Sequence, residues 1–362
     1  MSLKQIAEKA GTSVATVSRV LNHPAHQCHN PALKERIWNA ARELGYTPDI
    51  TARNLRMGIS TKQNPFTVDI FLTRFDSVQT DAFFDELLQI LRKELMENNC
   101  VLGSLMTSVD ISSLNSPTQT SPRIPYRTQE KLSVEKTMHT SAFITTKKDT
   151  GLIVLGKISE DNLRTLRMRY DYIVGIDRNP TNYLYDEVFC NGATATEKAI
   201  NYLISLGHHS IAYIGDCNYE SRYTGYYQTL LTNKLPLNHN HIYPTNQTEQ
   251  EGYLAMCRLL EQKDRPSAIF CANDTTALGV LRAMKGRKNT KHYKPSVISI
   301  DDIEAAKRAT PSLTTISIPK QEMGHLALTL LLDRRMGGHT ENIRIELPCH
   351  LIRRESCDYF FA

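Results

Sequence analysis

The residues with chemistry in them fall into two sets. Near the N-terminus a short helical segment presents Ala15, Thr16, Ser18, Arg19 and Asn22 on its polar face. These side chains supply an apolar contact for a thymine methyl, hydroxyls for phosphate oxygens, and a guanidinium able to grip guanine through two parallel hydrogen bonds. Farther along, polar residues directly follow apolar runs: Asp177 after YIVGI, Asp216 after IAYIG, Asn273 and Asp274 after AIFCA, and Asp301 and Asp302 after SVISI. In open α/β sheets ligands bind beyond the carboxyl ends of the strands, so several of these residues are expected to line one cleft. Helix capping is the competing role, and it is the stronger reading for Asn273, Asp301 and Asp302.

Other chemistries fit less well. His23, His26, Cys28 and His29 are metal-ligand types, but Pro24 and Pro31 mark a connecting loop and no second ligand pair follows at finger spacing, so no metal is expected. Paired carboxylates raise glycoside hydrolysis, yet nothing fixes their separation or supplies an apolar pocket for a proton donor. P-loop, G-x-G-x-x-G, H-E-x-x-H and G-x-S-x-G strings are missing, so neither an enzyme nor a cofactor is expected.

The elements that must position these residues begin with three short helices. Ser2 and Gln5 have capping-box spacing, and Leu3, Ile6, Ala7 and Ala10 recur at helical spacing up to Gly11. Ser13 caps a second helix from Val14 to Asn22, with Val14, Val17, Val20 and Leu21 expected on its apolar face. Asn30-Pro31 opens a third, which buries Leu33, Ile37, Ala41 and Leu44 before Gly45. Ala7, Gly11 and Val17 fall where a helix-turn-helix needs a small contact residue, a positive-φ turn and an aliphatic anchor. Charge points the same way. Residues 1 to 62 hold nine basic and four acidic residues, while the remainder holds 34 of each, so the whole formal net charge of +5 sits in this segment. Clustered charge of this kind suits a polyanion.

After the polar linker STKQNPF (60 to 66), the runs VDIFLT, CVLGSLM, GLIVLG, YIVGID, IAYIGD, AIFCAND, SVISIDD and LTTISI alternate with helix-length amphipathic segments. That βα repetition predicts parallel sheets in two open α/β lobes. Residues 107 to 150 break the pattern with a Ser, Thr and Pro-rich polar stretch, read as an enlarged surface loop. The eight cysteines include no C-x-x-C pair, so reduced thiols are the default. Without a secretory signal or an apolar run long enough to span a bilayer, a cytoplasmic location is expected.

LKQIAEKAGTSVATVSRVLN, followed by ARELGYTPDITARNLRMG, resembles the DNA-binding headpiece and hinge of the lactose/galactose-repressor family of bacterial transcription regulators. The resemblance continues through AINYLISLGHHSIAYIGD, SRYTGYYQTLL, AIFCANDTTALGVLRAM, SVISIDDIEAAKRATPSLTTISI and HLIRRES, which look like that family's effector-binding core. It implies an all-α helix-turn-helix headpiece over 1–48, a hinge helix and linker over 49–66, and over 67–362 a two-lobed α/β core of the periplasmic-binding-protein type (type I) that also dimerises. Lobe crossovers are implied near Asp177 to Pro180, at Asp302 and in the 320s.

By the same resemblance, Val14 and Ala15 read bases, within a DNA-contacting set of Ser13, Val14, Ala15, Thr16, Ser18, Arg19 and Asn22, joined in the hinge by Ala52, Arg53 and the wedge Leu55. A hinge helix over Asp49 to Arg56 is too short to be stable alone and is expected to fold on DNA. Asp177, Arg222 and Asp274 match effector-binding positions, a set whose carboxylates and guanidinium suit a polyol. The implied protein is a homodimeric repressor on a pseudo-palindromic operator, released by a small sugar. The strings around VLGKISE, ANDTTALGVLRAM and SIDDIEAAK make a galactoside the leading effector. A catabolite regulator using a phosphorylated carrier protein as corepressor is the alternative within the family, and a cytosolic sugar-binding or sugar-cleaving protein the alternative outside it. The chain reaches Ala362 without trailing leucine heptads, so an appended tetramer-forming helix is not expected.

Overall fold

The computed structural model describes residues 3–14, 16, 17, 20, 33, 36, 37, 40, 65–73, 82–107, 110, 149–177, 179–181, 183–286 and 293–360. The chain forms two compact units, Met1–Asn64 and Pro65–Ala362.

In the first unit, α1 (Leu3–Ala10) ends where the Thr12 N–H donates to the Ala7 carbonyl at 2.9 Å and Gly11 takes φ 62°. That left-handed turn is why a glycine stands there. The Ser13 hydroxyl accepts from the Thr16 N–H at 3.1 Å and so caps the next helix. Ile6, Ala7, Ala10, Val17, Val20, Ile37 and Ala40 form a small apolar core. Val14 departs from the expected apolar face and is 44% exposed. Spacing of three residues drifts by about 60° per step on a helix, so a stripe centred on Val17 and Val20 leaves Val14 off its edge.

The second unit runs β1 (Phe66–Leu72), α2 (Ala82–Glu97), β2 (Cys100–Thr107), β3 (Thr150–Leu155), α3 (Glu160–Arg167), β4 (Tyr172–Asp177), β5 (Asp186–Phe189), α4 (Gly192–Ser205), β6 (Ile211–Gly215), α5 (Ser221–Thr232), β7 (Ile242–Pro244), α6 (Glu249–Glu261), β8 (Ala268–Cys271), α7 (Asp274–Gly286), β9 (Ser296–Asp301), α8 (Glu304–Arg308), β10 (Thr314–Ser317), α9 (Lys320–Arg335), β11 (Arg344–Glu346) and β12 (His350–Ile352). Phe66, which composition assigns to the linker, is buried and opens β1, its ring edge-on to Tyr172.

Two six-stranded sheets result, ordered β11-β5-β4-β3-β1-β2 and β12-β10-β9-β8-β6-β7. All pairings are parallel except β10 with β12. The eight expected runs are all strands. Four further strands carry no such apolar run: β7, β11 and β12 have three residues each, and the four-residue β5 opens on the charges Asp186 and Glu187. Both carboxylates are buried against cations: Asp186 meets Arg334 and His339, and Glu187 faces Arg344 at 3.5 Å.

The chain passes between lobes after β5, after β10 and between β11 and β12. The crossovers expected at 177–180 and at Asp302 are thereby corrected. β5 pairs with β4 in the first sheet, and β10 follows β9 in the second, so the chain stays within one lobe at both places. Only the crossover leading into α9 lies close to where it is expected. Within the polar stretch 107–150, Asp110 accepts from the Thr107 N–H and hydroxyl at 2.7 and 2.8 Å, and residues 111–148 lie outside the described set. No described helix is long and apolar enough to cross a membrane.

Candidate functional site

Strand order reverses between β1 and β3 in the first sheet and between β6 and β8 in the second, and the loops leaving the carboxyl ends there meet across the lobes. Lys157, just after β3, donates to the carbonyls of Asn218 and Tyr219 at 3.2 and 3.0 Å. Asn179 accepts from the Ser221 N–H at 2.9 Å, and its amide donates to Asp177, the last residue of β4, at 3.3 Å. The Glu86 carboxylate accepts from the Glu304 N–H at 2.8 Å and pairs with Lys320 at 3.0 Å.

Arg222 enters this cleft region at the first turn of α5 and is 1% exposed. Its Nε donates to Glu220 at 2.7 Å and its Nη1 to the Ala272 carbonyl at 2.8 Å, so the described bonds use two of its five donors. Burial disfavours the charged guanidinium, and the Glu220 carboxylate beside it outweighs that cost and holds the Arg222 pKa above its ordinary value. Glu220 also caps α5 by accepting from the Arg222 N–H. Hydrogen bonds run from Asp177 at the end of β4 through Asn179 to the N–H of Ser221, the residue before Arg222, while the Arg222 side chain itself turns to Glu220 and the Ala272 carbonyl.

Asp274 is turned inward. It is 0% exposed, and its carboxylate accepts from Ser299 and Thr315 hydroxyls at 2.5 and 2.6 Å and from the Ile303 N–H at 2.9 Å. It ties α7 to β9, β10 and the turn before α8, and a ligand could reach it only by displacing those bonds. Burial, followed by the neighbouring Asp301 charge, pushes its carboxyl up to about 7 against the three hydrogen bonds.

Asn273 does cap its helix, accepting from the Thr276 N–H at 3.0 Å and hydroxyl at 2.6 Å. Asp301 and Asp302 do not cap α8; they form a left-handed turn, φ 129° and 51°, whose carbonyls both accept from Lys320 at 2.6 and 3.0 Å, while Asp302 pairs with Arg354. Asp216 stabilises its own loop by accepting from the Asn218 N–H at 2.8 Å. Lys157, Asn179, Glu220 and Lys320 carry no periodic signal; only Glu220 has a local one, as an acid at the head of a helix.

A concavity of about 470 Å³ lies away from this cleft, at the amino-terminal end of β9, against Leu281, Met284, Tyr293, Pro295, Pro311 and Ser356. Among the described residues no group of three His, Cys, Asp or Glu is placed to hold a metal ion, and His23, His26, Cys28 and His29 lie outside them. On the first unit, Ser13 and Val14 are exposed and Thr16 is half-buried, while Ala15, Ser18, Arg19, Asn22, Ala52, Arg53 and Leu55 lie outside the described residues.

Residues 2–49 match the family "Bacterial regulatory proteins, lacI family", and residues 200–357 match a periplasmic binding protein-like domain. Over 98% of its length the chain is 26% identical to the transcriptional repressor MelR of Bacillus subtilis and 29% identical to the repressor CytR of Escherichia coli K12, covering 97% and 96% of those proteins. Among solved structures, the transcriptional regulator CelR in complex with cellobiose superposes with a TM-score of 0.65 at 22% identity, covering 99% of this chain and all of that one. The lac repressor dimer bound to operator and an anti-inducer gives 0.63 at 19% identity, covering 98% of each. These proteins are regulators, in line with the reading against an enzyme. Helix-turn-helix headpiece, two-sheet core and near full-length relatives agree: the chain belongs to the lacI family of bacterial regulatory proteins.

Proposed function

We propose that this DNA-binding transcriptional repressor binds a pseudo-palindromic operator as a homodimer and is released when a small polyhydroxylated ligand, a galactoside foremost, is held between its lobes. The observation that carries the ligand site is the buried Arg222–Glu220 pair beside the Asp177–Asn179–Ser221 ribbon. Arg222 supplies paired donors to vicinal oxygens and Asp177 accepts from hydroxyls. Asp274 acts one step back, by holding the turn at Asp301 to Ile303. Two structurally similar regulators, one in complex with cellobiose and one from Enterococcus faecium with bound ribose, support a sugar as the class of ligand. The galactoside rests on sequence resemblance.

In the headpiece, exposed Val14 and Ser13 stand at the start of the second helix, where base edges are within reach. Ala15, Thr16, Ser18, Arg19 and Asn22 complete the reading face, and Ala52, Arg53 and Leu55 enter the minor groove from the hinge. Switching from 1:99 to 99:1 needs about 5.5 kcal/mol of differential binding, so several cleft bonds must change together.

A thermal-shift screen of sugars tests the ligand, because a ligand at 100 times its Kd stabilises by about 2.7 kcal/mol. Galactosides are expected to raise the Tm and to lower affinity for the operator; a response to a phosphorylated carrier protein and to no sugar would move the protein to the corepressor alternative. Arg19→Ala is expected to abolish salt-dependent binding to a palindrome, and unchanged DNA affinity would overturn the repressor reading.

A further inference from the structure

Two cysteines 159 positions apart in sequence meet where the lobes join. Cys190 directly follows β5, and its N–H donates to the Asp177 carbonyl at 3.3 Å, so it is anchored to the first sheet. Cys349 directly precedes β12 of the second sheet, and its carbonyl accepts from Lys198 of α4 at 2.7 Å. The two crossover segments run side by side, with the Leu347 N–H donating to the Phe189 carbonyl at 2.8 Å, and Cys190 and Cys349 follow that bond by one and two residues. They are 1% and 2% exposed.

We propose that Cys190 and Cys349 are a redox modification site, a thiol pair that hydroperoxides convert reversibly to a disulfide linking two of the three lobe crossovers. The Cys349 thiolate sulfur attacks one peroxide oxygen, the O–O bond breaks, and hydroxide leaves and is protonated to water. The resulting sulfenic acid is attacked by the Cys190 sulfur; the S–OH bond breaks, the S–S bond forms, and the Cys190 proton leaves with the hydroxyl as a second water. Two thiols thus lose two electrons and hydrogen peroxide gains them. The pairing also assigns the attacking sulfur. The hydrogen bond from Cys190 and the nearby Lys198 ammonium bring the Cys349 thiol down to about 7, whereas burial pushes Cys100, Cys217, Cys271 and Cys357 up. A bond here closes a long loop between strands that must move if the lobes rotate, so the oxidised protein is held in one lobe arrangement.

The test uses the full chain treated with hydrogen peroxide and mapped by mass spectrometry without reduction. One pair of peptides, joined through Cys190 and Cys349 and separated again by dithiothreitol, is expected, together with slower hydrogen exchange at the crossover amides around 190 and 347. Cys190→Ala and Cys349→Ala should each remove the joined pair. Since either variant could misfold, the wild-type map decides by itself. Unchanged thiols, a link through other cysteines, or Cys349 oxidised to sulfinate with Cys190 free would overturn the proposal, as would a joined pair with unchanged hinge exchange. None of these readouts depends on which effector or operator the protein uses.

Discussion

The two lobes share a strand order and differ in where they bury charge. In the first lobe the buried acids lie away from the cleft. Asp69 accepts from the Tyr170 hydroxyl at 2.6 Å and the Ser104 N–H at 2.7 Å inside the sheet, and Asp186 and Glu187 sit on β5 against Arg334, His339 and Arg344. In the second lobe, Glu220, Arg222, Asn273, Asp274 and Asp301 are all buried at the carboxyl ends of β6, β8 and β9. Charges buried at strand ends are held in fixed positions before any ligand arrives, and that preorganisation lowers the cost of binding. The second lobe is therefore the prepared half of the cleft, and the first contributes the more exposed Lys157, Asp177 and Asn179.

Arg222→Ala tests that contrast most severely. It leaves Glu220 buried and uncompensated, so a loss of about 3–5 kcal/mol in urea unfolding is expected. Arg344→Ala in the first lobe should cost less, about 1–2 kcal/mol, because the 3.5 Å contact with Glu187 is longer and Glu187 keeps bonds from the Thr181 N–H and hydroxyl, both at 2.8 Å. Equal costs would erase the distinction between the lobes.

The next effect is one of sign with pH. Burial and Asp301 raise the Asp274 carboxyl from 3.8 to about 7, so its contribution is fully present below the ordinary carboxylate value and is lost as pH rises through about 7. Burial alone would also raise Asp186, but bonds from Arg334, Ile343 and His339 outweigh it and hold that carboxyl low; its contribution is present above the ordinary value and is lost as pH falls through the lowered one. Chemical unfolding from pH 3 to 8 should therefore show Asp274→Asn removing a decline on the neutral side and Asp186→Asn removing one on the acid side. Parallel profiles for the two variants would contradict this. His339, raised by Asp333 and Asp186 against its burial, adds stability below the ordinary imidazole value that fades as pH rises through its own higher one, and His339→Gln should flatten that limb.

Lys157→Ala should have the smallest effect on unfolding, within about 0.5 kcal/mol, since the side chain is exposed. Its bonds cross between lobes, so ligand affinity in a titration should change more than stability does.

The Ser13 cap and the eight strands on apolar runs were legible because each rests on neighbours in sequence. Ser13 caps three residues ahead, and a run such as SVISID needs only burial on both faces to be a strand. Asn273 was legible as a cap for the same reason. The site was legible in part. Asp177 is tied through Asn179 to the turn that starts α5 and carries Arg222, but the inward turn of Asp274 depends on Ser299, Thr315 and Ile303, which nothing around position 274 announces. Likewise β5 looks too charged for a strand until Arg334, 148 residues later, is folded against Asp186.

By itself, then, the sequence determined the helix-turn-helix, the alternation of strands and helices, and the family. Periodicity and capping act over a few residues, and a chain that must hide its apolar groups writes them in locally. Which way a strand-end carboxylate points, which short segments close the sheet edges, and that Cys190 lies against Cys349 were decided only in three dimensions. Those outcomes depend on partners brought together by the crossovers, and a pairwise contact between distant residues leaves no period in the sequence of either one.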